Sequence, residues 1–309
     1  MEEYPMTFNE FTSRFATEAD CRKYLYQLRW PNGFVCPKCD QSVKEWPIGE
    51  LLFKCSVCGH KTSVIAGTIF QDTRKPLKDW FTAIWWVTTQ KNGASAMGLQ
   101  RVLGLKSYTT AWTWLHKIRV AMVNPHRIPL NGVVEVDETY VGGEEVGGSR
   151  GRGTENKSLV VIGVELLEGK NQLGRIRMKV VPDASKPSLQ GFIKENVQTG
   201  SRVITDGWSS YTSLPQEGYN HTIDRPFDEE KDDVLPHVHL IASLLKRWLL
   251  GTHQGAVGEG HLQSYLDEYV FRFNRRKSAN RGLLFYRLLE NAMLVKPKTQ
   301  DEILGHEQF

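Results

Sequence analysis

Apolar and polar residues alternate with four different rhythms along the chain. Residues 1–70 hold short β-like runs around a set of cysteines, including a strand candidate at 50–54. Residues 74–125 turn helical, with Leu77, Phe81 and Ile84 at helix spacing and Trp80, Trp85 and Trp86 beside them. From Gly132 to Thr205 β-branched runs take over: 133–137, 159–165, 175–181 and 202–206, with a short helix expected at 187–197. Beyond Val234 the helical period returns, first as Val234, Val238, Ile241, Leu245 and Trp248, then as Leu262, Tyr265, Leu266, Tyr269 and Phe273. Strands, a helix, a further strand and then helices predict an α/β fold with a mixed sheet covered by helices.

Composition changes this picture little. A length of 309 residues accommodates one sizeable core plus small modules. With 40% hydrophobic and 24% charged residues, the chain reads as an ordinary globular protein. The net charge of +4 and pI near 8.7 are compatible with a polyanionic partner without demanding one. The opening MEEYPMTF lacks the basic and apolar regions of a secretory signal, and the apolar run 81–87 is too short to span a bilayer. A reducing, cytoplasmic setting without membrane attachment is the expectation.

In that setting the cysteines point to metal. Cys36-Pro-Lys-Cys39 and Cys55-Ser-Val-Cys58 stand fifteen residues apart, the two-knuckle spacing of a tetrahedral four-thiolate Zn²⁺ site. Four thiolates leave no open position, so such a zinc is structural. His60 reads as a surface histidine and Cys21 as a small buried side chain.

Two further segments suggest chemistry. A helix ending at Gly104, followed by one that starts after Ser107, fits either a helix-turn-helix or a plain helical linker with a tryptophan-rich core. The second helix would turn Ala111, Leu115, Ile118 and Met122 inward and Thr109, Thr110, Thr113, His116, Lys117 and Arg119 outward. Asp137 and Asp206 each end a strand-like run, where a rigid sheet can hold carboxylates around a hard divalent cation, though a lone aspartate can equally cap a turn. On the helix beginning near Val234, His239, Ser243 and Lys246 share a polar face. Arg272, Asn274, Arg275, Arg276, Lys277 and Arg281 form a basic cluster, fit for phosphates or simply solvated.

Taken together these stretches resemble the insertion-sequence transposases of the DDE class, which carry an N-terminal zinc ribbon and an RNase H-like catalytic domain. The matching pieces are the two cysteine pairs, Val136-Asp-Glu-Thr-Tyr-Val-Gly-Gly143, Ile204-Thr-Asp-Gly207, Leu244-Leu-Lys-Arg-Trp248, and His261-Leu-Gln-Ser-Tyr-Leu-Asp-Glu268 running into Phe271-Arg-Phe-Asn-Arg-Arg276. The resemblance implies a zinc ribbon region at 1–70, a helical DNA-binding segment at 74–125, a catalytic domain at 131–295 and a tail at 296–309. It makes Asp137 and Asp206 the first two catalytic acids. The third ligand lies seven residues before the family's lysine; counting back from Lys246 reaches His239, where many members carry Glu or Asn. The set is therefore Asp, Asp, His, holding catalytic Mg²⁺ or Mn²⁺, with Lys246 on substrate phosphate. Glu229, Glu230, Asp232 and Asp233 upstream read as a solvated loop that could also supply an acid.

The implied activity is metal-dependent nicking and 3′-hydroxyl strand transfer at the ends of an insertion sequence, by a homo-oligomer on DNA and in association with the nucleoid. DNA contacts fall on Thr110, Thr113 and Lys117, on Arg150 and Arg152 of the glycine-rich loop 142–157, and on Arg247, Arg272, Arg275 and Arg276. Two alternatives share the same residues: an inactive transposase-derived DNA-binding regulator, and an RNase H-like nuclease that cuts without joining.

Overall fold

The computed structural model describes residues 3–49, 51–142, 157–167, 173–224, 234–254 and 257–305. Arg150 and Arg152 of the glycine-rich loop, and Glu229, Glu230, Asp232 and Asp233 of the acidic run, lie outside the described residues. The chain divides into two units, Met1–Pro125 with Ser278–Phe309, and His126–Lys277.

The first unit opens with two helices, α1 (Phe8–Arg14) and α2 (Glu18–Arg29), where the sequence reading expected only short β-like runs. A signal for the second was present. Thr17 and Asp20 form a capping box, each side chain accepting the other's backbone N–H. Next come the three antiparallel strands of the ribbon, β1 (Glu45–Ile48), β2 (Leu52–Cys55) and β3 (Lys61–Ser63). Phe53 of β2 packs against the rings of Tyr26 and Trp30, which seats the ribbon on the end of α2.

Helix α3 (Leu77–Thr89) meets these elements through aromatic rings. Phe11 stacks on Trp85 at 4.8 Å and Phe15 meets Phe81 at 4.8 Å. The helix Arg281–Leu294 closes the same core: Phe285 stands 5.5 Å from Phe11 and 5.7 Å from Phe81. That helix, expected at the end of the catalytic domain, therefore packs in the first unit. Only glycine fits where the N-terminal segment crosses it, because a Cβ on Gly282 would fall 1.7 Å from the Pro5 carbonyl oxygen.

The helix pair expected at the middle of the chain is α4 (Ala96–Leu103) and α5 (Tyr108–Ala121). Helix α5 is enclosed rather than open, packed by α4, by Arg281–Leu294 and by the short helix Gln300–Leu304. Trp114 stacks on Trp80 with centroids 3.9 Å apart. Thr113, His116 and Arg119, expected on an outward face, are buried. Thr113 at 4% exposure cannot face DNA, which corrects that expectation. Thr110 and Lys117 are half-buried, and burial holds the Lys117 ammonium below its ordinary pKa. The exposed side chains of this pair are instead Met97, Arg101, Val102, Lys106, Tyr108 and Thr109.

The second unit runs β4 (Val133–Gly142), β5 (Lys157–Leu166), β6 (Leu173–Val181), α6 (Lys186–Asn196), β7 (Arg202–Thr205), β8 (Asn220–Ile223), α7 (Pro236–His253) and α8 (Leu262–Asn274). Its sheet has the order β6-β5-β4-β7-β8, antiparallel among the first three and parallel from β4 to β8. This is the RNase H-like mixed sheet flanked by helices that the sequence led us to expect. Strand β5, an interior strand, is apolar without alternation, Leu159-Val160-Val161-Ile162-Gly163-Val164, because helices cover both faces. On one face α7 and α8 bury Val238, Ile241, Leu245, Leu262 and Leu266 against Val160, Ile162 and Val164. On the other, Leu189, Phe192 and Ile193 of α6 cover Val134, Val136 and Val161.

The free edge of β6 is occupied by side chains of α8. Gln263 accepts the Val180 N–H at 2.9 Å, and Asn274 accepts the Ile176 N–H at 2.8 Å while donating to its carbonyl at 3.1 Å. Arg276 continues the edge, donating to the Gly174 carbonyl at 3.2 Å and to that of Leu173.

Candidate active site

Two metal-type arrangements stand in the described residues, one per unit. In the ribbon, each cysteine pair sits on a hairpin knuckle. The backbone closes from Asp40 N–H to the Cys36 carbonyl at 2.9 Å, and from Gly59 N–H to the Cys55 carbonyl at 3.0 Å. The four sulfurs lie within 4.8 Å of one another, with Cys36 to Cys58 at 3.6 Å and Cys39 to Cys55 at 3.8 Å. Zn–S bonds of about 2.3 Å in a tetrahedron separate sulfurs by about 3.8 Å, so the quartet fits the ion closely. The amides of Cys58 and Val57 pull the Cys55 thiol down to about 7, toward the thiolate that a metal requires. Cys21 is buried, which pushes its thiol up to about 12 and leaves it inert.

In the second unit, the acids come from two paired strands. Strand β4 pairs in parallel with β7 as Val133↔Arg202, Val134↔Val203 and Glu135↔Ile204; Asp137 and Asp206 each follow two residues further on, and the charge of Asp206 acts on the Asp137 carboxyl. The two differ in setting. Asp206 follows directly on the end of β7, as expected. Asp137 does not end its strand, because β5 pairs with β4 over all ten positions to Gly142 and keeps it extended. The acid is held mid-strand, where it is stiffer than a terminal residue. Asp206 accepts the Trp208 N–H at 2.9 Å, an Asx turn made possible by Gly207 at φ +85°.

His239, on the first turn of α7, places Nε2 3.3 Å from Asp137 Oδ2. Burial lifts the Asp137 carboxyl above its usual range, the Glu138 amide works against that, and the negative charge of Asp206 lifts it further. Two carboxylates this near, with one imidazole beside them, leave a deficit of positive charge. A divalent cation would relieve it, and carboxylate and imidazole are donor types such an ion accepts. The fit is looser than in the ribbon: among the described residues only the cysteines bring three or more ligand atoms within 4.8 Å.

Comparison with known proteins matches one domain family in each unit. Residues 16–61 match the transposase zinc-ribbon domain, and residues 129–274 match the ISXO2-like transposase domain of the DDE type. In both parts the chain is similar to the insertion-sequence transposases of the DDE class. A relative from Halobacterium salinarum, an uncharacterized protein in transposable element ISH50, is 26% identical over 279 residues, covering 84% of this chain and 91% of its own. A chain in the cryo-EM structure of a simian T-cell lymphotropic virus intasome in complex with PP2A regulatory subunit B56 gamma is similar at 13% identity over 62% of this chain and 70% of that one. Its TM-score of 0.32 is too low to bear on function.

Within this transposase domain the remaining expected residues fall into two groups. Ser243 and Lys246 are exposed on α7, on the face that carries His239. Burial and the neighbouring charge of Lys157, at the start of β5, hold the Lys246 ammonium below its ordinary pKa. The two lysines are thus near enough to each other for their charges to interact. The basic cluster is more committed to structure. Arg272 pairs with buried Glu268 at 2.8 Å, Arg275 lies over the Phe271 ring at 4.0 Å, and Arg276 serves the β6 edge. Arg247 is exposed.

Three residues escaped the sequence reading. Tyr211, fully buried, donates to Glu138 Oε2 at 2.9 Å on the sheet face opposite Asp137. Glu135, two residues before Asp137 and on its face, is buried, with Oε1 2.7 Å from Nδ1 of His237. Its Oε2 accepts the backbone N–H groups of His237 at 3.1 Å and Val238 at 3.0 Å. The available signal was an acid amid apolar neighbours on a strand that already carried a functional acid. No helix among the described residues is long and apolar enough to cross a membrane.

Proposed function

We propose that the chain is a metal-dependent DNA transposase that nicks the ends of its insertion sequence and joins the freed 3′-hydroxyl to target DNA. What supports this reading is the contact of His239 Nε2 with Asp137 Oδ2 at 3.3 Å, beside an Asp206 whose charge acts on the same carboxyl. Asp137, Asp206 and His239 would hold Mg²⁺ or Mn²⁺, the imidazole favouring the more tolerant Mn²⁺. Bound there, the cations would activate the attacking oxygen and stabilise the leaving oxygen of a phosphodiester. The protein's own share is placement. The paired sheet keeps Asp137 rigid, the Asx turn aims Asp206, and α7 presents Lys246 to the substrate phosphate. The ribbon and residues 77–122 engage the element ends, and two chains act together because two ends must be joined.

The test is nicking and joining of a labelled element end with Mn²⁺. Native protein should do both. Asp137→Ala and Asp206→Ala should each lose on the order of 10³-fold in rate, the equivalent of about 4 kcal/mol. Binding without nicking in the native protein would identify the regulator instead. Nicking without joining would identify the plain nuclease.

A further inference from the structure

Helix α7 begins in an unusual way. The residue before it, Leu235, sits in the left-handed region at φ +56° and offers no side chain to cap the helix. Pro236 occupies the first position, where its missing N–H is no loss. The next two amides, of His237 and Val238, are the ones a local Ser, Thr or Asp would normally satisfy. Here the acceptor comes from 102 residues away: Glu135 Oε2 takes both, at 3.1 and 3.0 Å. Its second oxygen lies 2.7 Å from Nδ1 of His237. Burying a carboxylate on a sheet face is costly unless its oxygens are used, and these contacts use them.

From this geometry we infer that Glu135 is a positioning residue for His239. The inference rests on the metal-site reading above. One strand carries both members of the contact: Asp137 directly, and the helix start through Glu135 on the same face two residues earlier. His239 lies in the turn that Glu135 pins, one residue beyond Val238, with its own N–H bonded to the Leu235 carbonyl at 3.2 Å. A locally capped helix could slide on the sheet without losing its cap. This one cannot, so the apolar packing of α7 on the sheet is joined by one carboxylate that fixes the helix start relative to Asp137. Shortening or removing it frees the first turn and lets the third ligand drift.

The experiment uses full-length protein with labelled histidine side chains, the His239 resonance being assigned by its loss in His239→Gln. Mn²⁺ is titrated and the paramagnetic broadening of that resonance is followed, with circular dichroism on the same samples. Native protein should broaden His239, and Asp137→Ala should prevent it. Glu135→Gln keeps an oxygen for the two amides and should stay within about threefold of the native midpoint, whereas Glu135→Asp and Glu135→Ala should weaken it about tenfold or more, the usual scale for residues that orient a metal ligand. If Glu135→Ala fails to fold, Glu135→Asp decides. Native midpoints in the folded Asp and Ala variants would overturn the positioning role alone. A native protein whose His239 ignores Mn²⁺ would overturn the metal-site reading itself.

Discussion

The ribbon and the proposed acidic site gather candidate metal ligands by opposite means. Four thiolates on two local knuckles converge within 4.8 Å using residues 36–58 alone. The acids and the imidazole come from β4, β7 and α7, separated by up to 102 residues, and meet more loosely. A closed, saturated shell suits an ion that must never leave and whose binding folds the module. An open set with crowded negative charge suits ions that arrive with substrate and must leave a side free for it. The contrast teaches that tightness of a metal cluster measures permanence rather than importance.

Removing zinc is the hardest test of that contrast. A strong chelator, or Cys36→Ser, should cost the ribbon on the order of 10 kcal/mol of metal-linked folding energy. Hydrogen exchange should then show residues 45–63 losing protection while the β4–β8 sheet keeps its own. A ribbon that stays protected without metal would break the comparison. A middling effect is expected from His239→Glu, which replaces the nitrogen donor by oxygen. Nicking supported by Mg²⁺ should rise about tenfold relative to that supported by Mn²⁺, read as the ratio of rates in the two ions.

The smallest effect concerns stability. Burial and Asp206 raise the Asp137 carboxyl in the folded chain, so its ionised form opposes folding. That penalty is complete above the folded value and fades as pH falls through the carboxylate range, where both states hold the proton. Asp137→Asn should therefore raise the melting temperature of the metal-free protein by about 2–4 °C at neutral pH, the scale of about 1 kcal/mol in a chain this long. The gain should vanish in acid. A destabilised Asn variant at pH 7 would show that Asp137 is already well solvated.

What could be read in the sequence follows from the range of the interactions. The cysteine quartet was legible because each knuckle is a local turn. Asp137, Asp206 and His239 could be nominated because their strands and helix carry clear apolar periods, and the two acids fit a family pattern from which His239 departs. The length of β4 was not, since its extension past Asp137 depends on pairing with β5 across a loop. Thr113, His116 and Arg119 looked like an exposed face, but a helix returning from beyond Ser278 encloses them. Glu135 stood out only as an acid among apolar neighbours; its partners were hidden, as they lie on a helix start that no local rule links to it.

The amides of Gln263 and Asn274, with the Arg276 guanidinium, have a consequence for how copies of this protein can come together. Backbone groups that would otherwise template another strand are already spoken for along β6. Ribbon-like growth of the sheet is thereby blocked on that flank, and at the opposite flank β8 offers only four residues. Copies of the chain held at high local concentration are kept from joining sheet to sheet along β6.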